Sequence, residues 1–197
     1  AKYFKERFVA DGGVVAIEQR YSEGDRDFKA QLTAIRAAGV DGLFVPGYYT
    51  EAALICKQAK DLGLNVPIFG GDGWEAPQLV EIGGAAVEGT YFSTHYSAEN
   101  KTPAVTEFLA KYKQRWNNEV PDAMAALGYD SVLVLIDAIK RAGTTESAKL
   151  RDALAATKNF EGVTGKTTLD AQRNASKSAV VITIKDGKFK FVETIAP

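Results

Sequence analysis

Two glycine-rich stretches carry the residues best suited to binding chemistry: Pro46-Gly47-Tyr48-Tyr49-Thr50 and Gly70-Gly71-Asp72-Gly73-Trp74. Asp72, held on a glycine-flanked turn, is an anion that a protonated amine can neutralise. A charge-assisted hydrogen bond of that kind is strong and directional in a dry cleft. Tyr48 offers a hydroxyl and an apolar ring face to the body of the same ligand. Tyr49 and Trp74 add aromatic surface. The plainer alternative makes the three aromatics half-buried rim residues and Asp72 a turn residue, favoured beside Gly73 for its tolerance of positive φ. The binding reading is preferred because both stretches fall at the carboxyl ends of neighbouring predicted strands, where open parallel sheets place their ligands.

Other chemistries find few residues to work with. The chain has one histidine and one cysteine. His95 has no second His or Cys at metal-ligand spacing. Cys56 lies mid-helix on an apolar face, with nothing local to activate it, and reads as a buried structural thiol. Gly165-Lys166-Thr167 imitates the end of a phosphate loop, but Phe160 stands where that motif needs its first glycine. No Gly-x-Gly-x-x-Gly follows a strand. Among the carboxylate pairs, Asp27 reads as a helix cap, and Asp25, Asp122 and Asp130 as solvated or turn residues. The sequons at Asn100 and Asn174 are short enough to arise by chance. The expectation is therefore a protein without catalysis, metal or cofactor. With 24 basic against 25 acidic side chains, and the two signs interspersed, nothing suggests a nucleic-acid surface. No apolar run approaches the ~20 residues needed to cross a bilayer.

The elements that must position these loops are legible in the alternation of two periods. Residues 1–10 read as a helix ended by Gly12-Gly13, with Phe4 and Phe8 on one face. Residues 14–17 follow as a short apolar strand. Asp27 caps a helix to about residue 38, with Phe28, Leu32 and Ile35 inward. Residues 42–45 form the next strand, Thr50 caps a helix to Leu62, and residues 67–70 form another strand. A short helix at 77–82 and a strand at 87–93 follow. Short apolar strands alternating with helices of 10–15 residues indicate βαβ units and a parallel sheet. After a polar linker near 97–103, helices are predicted at 103–116, 122–142 and 146–157. Strands near 163–169 and 178–185 come next, and then a hairpin turn at Asp186-Gly187 into 188–192.

Several stretches resemble the Leu/Ile/Val-binding proteins of ABC importers, which have the type I periplasmic-binding-protein fold. They are Gly24-Asp25-Arg26-Asp27-Phe28, Gly47-Tyr48-Tyr49-Thr50-Glu51-Ala52-Ala53-Leu54, Gln58-Ala59-Lys60-Asp61-Leu62-Gly63, Gly70-Gly71-Asp72-Gly73-Trp74, Ala125-Ala126-Leu127-Gly128-Tyr129-Asp130 and Phe160-Glu161-Gly162-Val163-Thr164-Gly165. The resemblance implies an α/β fold of parallel-sheet lobes with helices on both faces, incomplete at the N-terminus. Residues 1–93 and 182–197 would form lobe two, the ligand-binding lobe, and 94–181 the remaining part of lobe one. Asp72 would match the acid that pairs with a ligand α-ammonium, Tyr48 a cleft tyrosine, and Met124 a position touching the ligand side chain. Trp74 and Tyr49 would shape the pocket. The implied partners are a branched-chain or similar amino acid, an ABC transporter permease, and an absent N-terminal lobe-one segment or second chain. The implied location is periplasmic or cell-surface. Hinge strands would pass near 93–96 and 180–183, and apolar sheet and helix surface would be exposed. The rival expectation is a ligand-sensing receptor domain of the same fold with no transport role.

Overall fold

The computed structural model describes all 197 residues, Ala1–Pro197. The chain forms two compact units, Ala1–Phe92 with Thr183–Lys190 and Ser93–Ile182 with Phe191–Pro197.

In the first unit helices and strands alternate: α1 (Lys2–Ala10), α2 (Lys29–Ala37), β1 (Leu43–Val45), α3 (Tyr49–Asp61), β2 (Ile68–Gly70), α4 (Pro77–Gly83) and β3 (Tyr91–Thr94). β1 pairs with β2 in parallel, from Leu43 opposite Ile68 to Val45 opposite Gly70, and β2 pairs in parallel with β3. Helix α3 buries Ala52, Ala53, Ile55, Cys56 and Ala59. Small side chains on that face let the helix approach its neighbours closely. Phe28, Leu32, Leu79, Val87, Phe92 and Ile184 complete a dense apolar core. The sheet order is β1-β2-β3-β7-β8, where β7 (Ala179–Lys185) and β8 (Lys188–Ile195) form a hairpin. Its turn is Asp186-Gly187, both at positive φ as a tight primed turn demands. Glu88 holds that turn by accepting from the Asp186 and Gly187 amides.

Three expectations for this unit are corrected. Residues 14–17 do not join a sheet: residues 14–21 run without a backbone ladder, although Val15 and Ile17 are half-buried in alternation. A strand needs a neighbouring edge to pair with, and this segment makes no such pairing. Helix α3 starts two residues early: Tyr48 is its N-cap, in extended conformation, and Thr50 lies inside the helix. Asp27 accepts from the Lys29 amide at the start of α2, but Phe28 occupies the N-cap.

The second unit holds α5 (Pro103–Arg115), α6 (Ala123–Ala142), α7 (Ser147–Ala155) and a three-stranded antiparallel sheet of β4 (Phe160–Gly162), β5 (Gly165–Leu169) and β6 (Ala175–Ser176). Thr102 caps α5, and Asp122 caps α6 by accepting from the Ala125 amide at 2.8 Å. Asp122 is therefore a helix cap and not merely a turn residue. A small core gathers Tyr96, Val105, Phe108, Ala123, Ala126 and Val163. Asp130 is a second correction, since it is only 6% exposed. It accepts from the Val163 amide (2.8 Å), the Thr164 amide (2.8 Å) and the Thr164 hydroxyl (2.7 Å), tying α6 to the turn between β4 and β5. Residues Phe191–Pro197 cluster with this unit rather than with the first, where 182–197 had been expected. The Phe191 amide donates to Glu99 Oε2 at 3.0 Å, which draws the second half of β8 to it. Helix α6 leaves Val132, Leu135 and Ile136 exposed. No helix is long and apolar enough to cross a membrane.

Candidate functional site

Because Val45 lies opposite Gly70, β1 and β2 release their loops at the same level of the sheet. The first loop begins with Pro46 and turns at Gly47, whose φ of +137° suits only glycine. A side chain there would also strike the Tyr21 hydroxyl. Tyr21 donates that hydroxyl to the Pro46 carbonyl at 2.5 Å. Burial, and secondarily the Glu51 carboxylate, holds the Tyr21 phenol in its protonated, donating form by pushing its pKa up. Tyr48 follows at the N-cap of α3 with its ring 64% exposed. Tyr49, the first residue of the helix, is half-buried.

The second loop is a single 3-10 turn, Asp72–Trp74, closed by the Trp74 amide on Gly71 O (3.0 Å) and the Glu75 amide on Asp72 O (3.1 Å). Asp72 heads it with an exposed side chain. Trp74 is completely buried. Its indole lies against Gly70, where no Cβ could be accommodated, and Nε1 donates to the Val45 carbonyl at 3.1 Å. The two loops touch: a Cβ on Gly73 would fall 2.5 Å from Gly47 O and 3.0 Å from Tyr48 Cδ1. Glycine at 73 is what lets the acidic loop sit beside Tyr48.

The structure thus brings Tyr48, Tyr49, Asp72 and Trp74 together in the first unit. Asp72 and Tyr48 present a carboxylate and a phenol at a shared strand-end surface. Trp74 is corrected from a pocket-lining residue to a buried strut, because a side chain with no accessible surface cannot touch a ligand. Met124 lies in the second unit, at the second position of α6, and is 58% exposed.

Sequence reasoning missed a cavity of about 400 Å³ beside Tyr48, lined also by Arg20, Tyr21, Glu23 and Glu51. Glu51 is buried to 6% exposure and accepts from the Gly24 amide at 2.9 Å, fixing the 22–28 loop against α3. A carboxylate in a helical first turn is an ordinary feature. Nothing in the local sequence announces a partner 27 positions away. Cys56 is buried, and desolvation raises its thiol pKa to about 12, so it is no nucleophile at neutral pH. No group of three His, Cys, Asp or Glu side chains could hold a metal.

Residues 1–188 match the family described as periplasmic binding protein. The Leu/Ile/Val-binding protein homolog 3 of Brucella melitensis is 30% identical over 188 residues, which cover 94% of this chain and 50% of the relative. Among solved structures, a leucine-binding protein of Thermotoga maritima superposes with a TM-score of 0.91 at 40% identity, covering all of this chain and 56% of that one. A branched-chain amino acid transporter substrate-binding protein of Streptococcus pneumoniae, solved with isoleucine, does so with a TM-score of 0.84 at 36% identity, covering 100% and 57%. The chain spans about half the length of the curated relatives it matches.

Proposed function

The chain belongs to the periplasmic binding protein family, and from that premise we propose that it is the greater part of the ligand-binding machinery of an extracytoplasmic ABC-importer component that captures a branched-chain or similar amino acid. The observation that supports the reading is the contact between the two strand-end loops, where Gly73, next to Asp72, approaches Gly47 and the exposed Tyr48 ring. Asp72 pairs with the ligand ammonium through a charge-assisted hydrogen bond, and Tyr48 covers the ligand body. The units correspond to lobe two and to part of lobe one. The chain passes between them at 92–93, 182–183 and 190–191, and these crossings serve as the hinge. Ligand favours the closed arrangement by touching both lobes, and a membrane permease reads that arrangement.

The test is a thermal-shift and calorimetric titration of leucine, isoleucine and valine into a full-length, two-lobed form. The expected result is a raised midpoint with these zwitterions. Asp72→Asn should lose binding by at least about 100-fold, the scale of a charge-assisted bond in a dry site, while its unfolding midpoint without ligand stays unchanged. Indifference to every amino acid, or full affinity in the variant, sinks the reading.

A further inference from the structure

Four aspartates directly precede a glycine: Asp11-Gly12, Asp41-Gly42, Asp72-Gly73 and Asp186-Gly187. Such a pair can close on itself. The glycine amide nitrogen attacks the aspartyl Cγ, water leaves, and a succinimide ring forms. Water then reopens the ring at either carbonyl. One direction restores aspartate, and the other gives isoaspartate, in which the main chain runs through Cβ. The step consumes no oxidant, reductant or second protein. Glycine favours it, having no Cβ to shield the attacking nitrogen and leaving the backbone free to turn.

The structure separates the four pairs. All four aspartates are exposed, but their glycine amides differ. Gly12 donates to the Val9 carbonyl at 3.0 Å, and Gly187 donates to Glu88 Oε1 at 2.7 Å. Each of those bonds must break before the nitrogen can turn onto the preceding carboxyl. Gly42 and Gly73 donate to nothing. Around Asp72 the backbone is also lightly tied. Its turn is closed by two bonds, the Trp74 amide to Gly71 O and the Glu75 amide to Asp72 O. A side chain built on Gly71 would meet nothing. Gly73 is held against Gly47 O, so the rotation that brings Cγ onto its nitrogen falls to Asp72 and Gly71.

We propose that Asp72-Gly73 is a site of spontaneous isomerisation, at which the loop aspartate ages to isoaspartate. The product cannot keep the turn. The former Asp72 carbonyl becomes the free carboxylate and leaves the main chain, so the Glu75 amide loses its main-chain acceptor. One methylene is added between Gly71 and Trp74, whose indole stays anchored on the Val45 carbonyl. The anion therefore leaves the position it holds in the aspartyl form. Asp41-Gly42 shares the free amide and ages as well, at the opposite end of β1. On the reading that Asp72 meets the ligand ammonium, conversion removes that contact; the conversion itself does not depend on that reading.

The test stores the 197-residue chain at neutral pH and physiological temperature for several weeks. Aspartyl and isoaspartyl peptides share a mass and separate by chromatography. An isoaspartyl methyltransferase with labelled S-adenosylmethionine counts the product independently. Asp72 and Asp41 are expected to carry at least roughly fivefold more isoaspartate than Asp11 and Asp186, the factor that one amide hydrogen bond supplies. In urea, with every amide released, the four sites should converge. Asp72→Glu would have to close a larger ring, and its peptide should carry no label. Conversion at Asp72 no faster than at Asp11 and Asp186 overturns the proposal. The same ranking in urea overturns it too, because local sequence would then set the rate, and so does label persisting in the Asp72→Glu peptide. No readout involves an amino-acid ligand, so failure to bind one leaves these outcomes untouched.

Discussion

Replacing Trp74 separates a strut from a ligand contact. The indole is fully buried, rests on Gly70, meets Phe92 at a centroid distance of 6.4 Å, and donates Nε1–H to the Val45 carbonyl at 3.1 Å. Trp74→Ala removes the whole buried ring and should destabilise the first unit by roughly 3–5 kcal/mol, the range for buried aromatics cut to alanine. Trp74→Phe retains most of the apolar contact but removes the indole hydrogen bond to the Val45 carbonyl. One lost hydrogen bond to a buried acceptor, plus a small void, comes to roughly 1–2 kcal/mol. Urea denaturation followed by circular dichroism measures both. In the two-lobed form, Trp74→Phe should weaken amino-acid affinity by no more than about tenfold, because it acts only through loop position. If Trp74→Phe unfolds at the wild-type urea concentration yet loses affinity by 100-fold or more, the indole meets the ligand and its assignment as a strut is wrong.

Two further outcomes follow from buried groups outside the site. Asp130→Asn replaces an acceptor of three hydrogen bonds with a group whose amide nitrogen must face donors, and should cost about 2–4 kcal/mol on thermal or urea unfolding; a shift below about 0.5 kcal/mol refutes the reading that it pins the β4–β5 turn. Cys56 is raised from its ordinary 9.0 to about 12, so the unfolded chain ionises first. Its contribution is complete below pH 9 and declines toward pH 12 by up to about 1.4 kcal/mol per unit. Subtracting the Cys56→Ala profile isolates this loss, and parallel profiles would refute it.

What the sequence revealed depended on how far apart the interacting residues lie. β1 and β2 are short apolar runs bounded by glycine and proline, and their pattern is complete within a few residues. The Asp186-Gly187 turn is likewise local, as is the Thr102 cap beside Pro103. The larger failures are cases where a distant partner decides. The 14–17 run has strand composition, but a strand exists only where another edge meets it. Asp130 looks like a turn carboxylate until Val163 and Thr164 are brought to it from 33 and 34 positions away. Trp74 reads as a pocket aromatic because its neighbours are glycines, and the same glycines turn out to be the space into which it folds. Its true position depends on Gly70 and the Val45 carbonyl, a relation across two strands.

That relation also explains why Asp72 and Tyr48 can stand in solvent without being loose. β1 ends at Val45, opposite Gly70, and the carbonyls of Val45 and Pro46 both accept side-chain hydrogen bonds. Each is met by a side chain from a different part of the unit, Trp74 Nε1 from the second loop and Tyr21 Oη from the 14–21 segment. A backbone whose acceptors are taken from both sides has little freedom to move at Gly47, and Gly73 is pressed against that same turn. The polar groups that fix the loops are therefore consumed internally. Asp72 and Tyr48, the groups proposed to meet the ligand, stay exposed on a scaffold already in place, so on that proposal the ordering cost of binding is small. Loosening either clamp should thus erode affinity before it erodes the fold. Tyr21→Phe is the gentler way to see it, since it deletes one hydroxyl and leaves the ring's edge contact with Phe28 intact.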